Sequence, residues 1–186
     1  MAQQNLEMDD ILERITFYCL DEAKKKLEAG EECTPFTAVV SDDQMYLENY
    51  PGDDVMRCRA DAEANVKSSS TFSTHYAFCY DGFLMTDDGQ IDSLIVECAT
   101  RDMEKAYVIG VIYKKNESGE LEFADTPALL DQTESFYDRA AVNAAKELER
   151  VKAGDNLDMD AAQEMLKRNL GDSEDGAADD EKEAQE

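Results

Sequence analysis

His75 to Thr86 reads HYAFCYDGFLMT, Ile91 to Ala99 reads IDSLIVECA, and Lys105 to Lys115 reads KAYVIGVIYKK. All three runs are rich in aromatic and β-branched residues. Asp87-Asp88-Gly89-Gln90 and Thr100 to Glu104 separate them as turns. Strands joined so closely form an antiparallel meander. Asp81-Gly82 interrupts the first run and predicts a bulge there. In residues 76 to 80, Tyr76, Phe78 and Tyr80 point one way and Ala77 and Cys79 the other. Residues 107 to 113 are likewise apolar on both sides. A sheet with one wet face alternates apolar with polar, so these strands require cover on both faces, from the chain's own helices or from a partner.

Upstream, Leu6 to Glu28 places Met8, Leu12, Ile15 and Cys19 at helical spacing, with Gly30 as its stop. Pro35 to Ser41 and Met45 to Tyr50 predict a hairpin across Asp42-Asp43-Gln44. Tyr50-Pro51-Gly52-Asp53-Asp54 turns into a helix reaching about Lys67, with Val55, Cys58, Ala62 and Val66 on one side. Downstream, Leu121-Glu122-Phe123 predicts a short edge strand. Asp131-Gln132-Thr133-Glu134 resembles a capping box and predicts a helix ending at Gly154. A last helix is expected over about Asp158 to Leu170.

From Asp172 onward, DSEDGAADDEKEAQE holds eight acids, one Lys and no large apolar residue. Such a segment cannot offset the entropy of ordering and is expected to be disordered. The expected organisation is one domain over residues 1–171, with a C-terminal helical hairpin at about 131–171, then an acidic tail over 172–186. The fold class is α+β: a mainly antiparallel sheet built from a hairpin and a three-strand meander, with an N-terminal helix and two C-terminal helices. It lacks the regular βαβα alternation of a doubly wound sheet.

Charge limits the function. Among 186 residues, 18 Lys and Arg face 44 Asp and Glu, leaving −26. The tail accounts for −7, so residues 1–171 carry −19. That sign opposes binding to nucleic acid and to anionic membranes. The longest apolar run, Ala106 to Tyr113, is far short of a bilayer span. Met1 to Asp10 has no basic start and does not read as a secretory signal. Cys19, Cys33, Cys58, Cys79 and Cys98 are an odd, scattered set without C-x-x-C. They read as buried small hydrophobes of a cytoplasmic protein, not as a disulfide framework or a zinc site.

Catalytic constellations are sparse. His75, beside Ser73 and Thr74, is the single His that could serve as a base, and it lies in no nucleophile motif. Glycine-rich phosphate loops are absent. The Asp pairs at 42/43, 53/54 and 87/88, and the group Asp155, Asp158 and Asp160, lack EF-hand spacing, and in three of the four the acids double as turn formers or caps. Asp92 and Glu97, followed by Arg101, suggest a nuclease-like carboxylate pair, yet an odd separation puts them on opposite faces of a strand. No catalytic residue, cofactor or metal ligand is therefore expected. Tyr76, Phe78, Tyr80 and Phe83 could stack on bases, but no cations lie between them. They are instead candidate interaction residues, in an interior or at a protein interface.

The expected function is a non-catalytic acidic cytosolic domain acting through protein contacts, adaptor- or chaperone-like, with a protein partner or as a homodimer. Two alternatives carry different signatures. A mimic of nucleic acid would inhibit a DNA- or RNA-binding protein and line one continuous face with acids. A metal-dependent phosphodiesterase would converge two carboxylates on one ion.

Overall fold

The computed structural model describes residues 8–87 and 89–153. The order is α1 (Asp10–Glu28), β1 (Phe36–Ser41), β2 (Gln44–Asn49), α2 (Val55–Ser68), β3 (Ser73–Thr86), β4 (Gly89–Thr100), β5 (Lys105–Lys115), β6 (Leu121–Phe123), β7 (Ala128–Glu134) and α3 (Arg139–Ala153). All strand pairs are antiparallel, in the order β2-β1-β3-β4-β5-β6, with β7 also on β5. This is the α+β architecture, a curled sheet with a helix at each end of the described chain. The chain divides into a unit ending at Ala145 and a second beginning at Lys146. The helix expected at 158–170 and the tail at 172–186 lie outside the described residues.

Both faces of the central strands are apolar, and each face is built differently. On the first, Leu12, Ile15, Cys19, Leu20 and Ala23 of α1 pack on Ala38, Ala77, Cys79, Leu94, Val96 and Cys98. Ala38, Ala77 and Cys98 stand side by side across three strands. Their small side chains let the helix backbone approach closely. On the second face, α2 offers only Cys58, Ala62 and Val66. Aromatic rings fill the wider gap. Tyr76 stacks on Phe136 at 4.9 Å and meets Tyr137 edge-on at 5.4 Å, and Phe136 also neighbours Phe78. Two of the buried hydroxyls there find partners: Tyr76 accepts from the Phe136 N–H at 3.0 Å, and Tyr50 bonds Thr37 at 3.0 Å, whereas the buried Tyr137 hydroxyl meets none among the described residues.

Several expectations need correction. The Asp131–Glu134 stretch is not a cap but the end of β7, paired with Lys105 to Val108 of β5. Apolar demand from β5, whose far side would otherwise be bare, outweighs the local capping pattern. The helix starts at Arg139 instead, capped by Asp138, whose Oδ1 accepts from Ala140 and Ala141 at 2.9 and 3.2 Å. The Asp81-Gly82 step is not bulged: β3 and β4 keep one register from His75 to Thr86. The turn between β1 and β2 has two residues, since Gln44 already pairs with Ser41. Asp42 and Asp43 both take positive φ, 48° and 60°, as a type I′ turn requires.

Candidate interaction surface

The four aromatic residues singled out by the sequence do not share one patch. Tyr76 and Phe78 are wholly buried, and Tyr80 is half-buried against Phe78 at 5.3 Å. These three lie on the α2 face. Phe83, opposite Asp92, lies on the α1 face and is 53% exposed. Position 83 is odd where 76, 78 and 80 are even, so the pleat sends it to the other side.

Asp92 and Glu97 also diverge. Glu97 lies between Phe78 and Val108 on the α2 face, and Asp92 is on the α1 face. Arg59 of α2 binds Glu97 through Nε at 2.8 and 3.1 Å and through Nη2 at 2.8 Å. The guanidinium rests over the Phe136 ring at 4.7 Å. The hydrogen bonds that Arg59 donates to Glu97, with the charge of that carboxylate, hold the Arg59 pKa above the ordinary value against the opposing effect of burial. A carboxylate so engaged is a structural anchor for α2. Among the described residues no three His, Cys, Asp or Glu side chains gather as a metal set.

His75 is buried at the start of β3. Its Nδ1 lies 2.8 Å from Thr74 Oγ1 and its Nε2 3.0 Å from Asp9 Oδ2. The other Asp9 oxygen caps α1 by accepting from the Leu12 N–H at 2.8 Å. The three groups line up as acid, imidazole and hydroxyl. Yet the hydroxyl is on the adjacent residue and also donates to the Val40 carbonyl at 3.4 Å. The chain ties the start of α1 to β3. Burial opposes ionisation of Asp9, but the Leu12 N–H and His75 together hold its carboxyl below the ordinary range.

All five cysteines are free and buried. Burial raises the thiol of Cys33 to about 11 and that of Cys98 to about 12. Thiolate chemistry at neutral pH is disfavoured there.

What the sequence reading missed lies at the edge of the sheet. Every residue of β2 is exposed, with Met45 at 40%, Tyr46 at 56% and Leu47 at 48%. Met45 and Leu47 share the α1 face; Tyr46 and Glu48 share the α2 face. A cavity of about 730 Å³ runs on the α1 side, lined by Ile11, Phe17, Tyr18, Val40 and Met45. Another of about 560 Å³ runs on the α2 side, lined by Val39, Tyr46, Leu47 and Phe72. Phe17 and Phe72 are themselves 45% and 58% exposed. The signal was present in Met45-Tyr46-Leu47, which is apolar on both faces of a strand that has only one neighbour.

A third cavity of about 560 Å³ opens where β4 and β5 part beyond the Ser93–Ile112 pair. Asp92, Lys114 and Glu122 line it with Ile91 and Phe123, and Lys114 Nζ lies 3.2 Å from Glu122. Tyr113, also on its wall, donates its hydroxyl to Asp81 at 2.8 Å.

No family model, curated protein or solved structure matches this chain. Among the described residues, no helix is long and apolar enough to cross a membrane.

Proposed function

We propose that this chain is a non-catalytic acidic domain, adaptor- or chaperone-like, that works through protein contacts in the cytoplasm. The observation that carries this reading is the β2 edge, where Met45, Tyr46 and Leu47 stand exposed between two cavities of mixed polar and apolar lining. Exposed apolar side chains grouped with unpaired backbone groups favour a protein partner. The acidity of the chain favours partners that are proteins over nucleic acid or anionic membranes. Five buried free thiols suit a reducing compartment.

The test is affinity capture from the native cell lysate, at low and at high salt, with the wild-type chain and a Leu47→Lys variant. The reading predicts that wild type retains a protein at one salt or both, and that the variant loses it. A chain that is monomeric and retains no protein at either salt overturns the reading.

A further inference from the structure

The two edges of the sheet are treated differently. At the far edge, the strand beside β5 is broken into a three-residue β6 and a separate β7. Its pairing with β5 slips between Val108 and Ile109, and it carries Glu122, Asp131 and Glu134. Short strands, irregular register and charge are the means by which edges avoid pairing with other chains. The β2 edge has neither a break nor a slip, and only a single charge. Its six pairs with β1 run without a slip, it contains no proline, and Glu48 is its one charge. That charge is also drawn aside, since Asn65 of α2 donates to the Glu48 carboxylate.

The phase of the β1–β2 ladder fixes which backbone groups are free. The Tyr50 N–H bonds the Pro35 carbonyl at 2.7 Å, so pairs in phase with 35–50 exchange hydrogen bonds. Those are Thr37–Glu48, Val39–Tyr46 and Ser41–Gln44. The N–H and C=O groups of Met45, Leu47 and Asn49 therefore point outward. An antiparallel copy of β2 centred on Leu47 pairs Leu47 with Leu47, and Met45 with Asn49 twice. All the outward groups are then met. Glu48 faces Tyr46 and not the other Glu48, which matters for two chains that each carry −26. A twofold axis through this pair sets both α1 helices on one side, with Phe17 and Ile11 of the two copies flanking the joined edge.

We propose that two copies of this chain associate through β2, antiparallel about a twofold axis at Leu47, extending one sheet across both. The proposal rests on the protein-contact reading and names its partner as a second copy. The interface is isologous, so it closes at two copies.

The test is sedimentation equilibrium of the full chain as wild type, Leu47→Lys and Leu47→Pro, at low and high salt. Circular dichroism of each checks the fold. Leu47→Pro removes an outward N–H and leaves the bonds to β1 untouched. The wild type is expected to dimerise, and to do so on the order of tenfold more tightly at high salt, as repulsion between the acidic chains is screened. Both variants are expected to be folded and monomeric. A wild type monomeric at every concentration overturns the proposal, as does a dimer that survives both substitutions. A monomeric wild type that still captures a different protein through Leu47 overturns this twofold while leaving the protein-contact reading intact.

Discussion

Glu97 carries its charge inside the α2 face, where Arg59 meets it with three contacts of 2.8 to 3.1 Å. Their side chains are 5% and 24% exposed. Removing one partner of a buried ion pair leaves the other without compensation. Glu97→Gln is expected to cost about 2 kcal/mol in denaturant unfolding, less than a fully buried pair because Arg59 keeps a wet flank. A loss near zero would show that the pair does not anchor α2. Asp81 behaves in the opposite sense. Burial raises its pKa, although the Tyr113 hydroxyl and the Gly82 N–H favour the charged form. A group that binds its proton more tightly when folded contributes stability at pH values below the ordinary carboxylate range. That contribution is lost as pH rises through the raised value. Asp81→Asn keeps an acceptor for Tyr113 without the charge. Its stability relative to wild type is expected to be higher at neutral pH, with the gap closing on acidification. A gap independent of pH would contradict this origin.

At the scale of elements, Gly110 explains how β7 sits on β5. A Cβ at that position would lie 2.5 Å from Leu130 Cδ1 and 3.1 Å from Ser93 Oγ. Leu130 is the extra residue at the slip in the β5–β7 register. Its side chain crosses the strand where glycine leaves room. Gly110→Ala is expected to cost about 1–2 kcal/mol by crowding. Adding Leu130→Ala should recover part of that loss, and two additive losses would refute the contact. The same region shows where sequence reading stops. α1, the hairpin, α2, β3 to β6 and their order were legible, because each has its own period and its own turn. β7 was not, because ALLDQTE has little β character of its own and pairs only because β5 offers an edge. The true helix start at Asp138 was hidden behind Asp131, four residues beyond which the chain is still leaving the strand. Among the candidate interaction residues, alternation correctly separated Tyr76 and Phe78 from Ala77. It could not say that α2, Phe136 and Tyr137 would bury them.

For the whole molecule, the outcome is that apolar cover runs out at one side. α1 covers one face, and α2 with Phe136 and Tyr137 covers the other, yet among the described residues β2 stays exposed along its whole length, with Asn65 of α2 touching only the Glu48 carboxylate. Acids flank this edge too, Asp42 and Asp43 at its turn and Glu13 and Asp21 along the α1-side cavity, so a second copy approaching it meets like charge that salt screens. Salt separates the two kinds of partner. Attraction to a cationic protein weakens as salt rises, whereas pairing of two acidic copies strengthens. Amide hydrogen exchange of Met45, Leu47 and Asn49 in the full chain, dilute and concentrated, tests the role of this edge most directly. These three outward N–H groups are expected to exchange fast when dilute and slow when concentrated, while Gln44, Tyr46 and Glu48 stay protected throughout. Fast exchange of all three at every concentration, with the fold intact, would contradict that role.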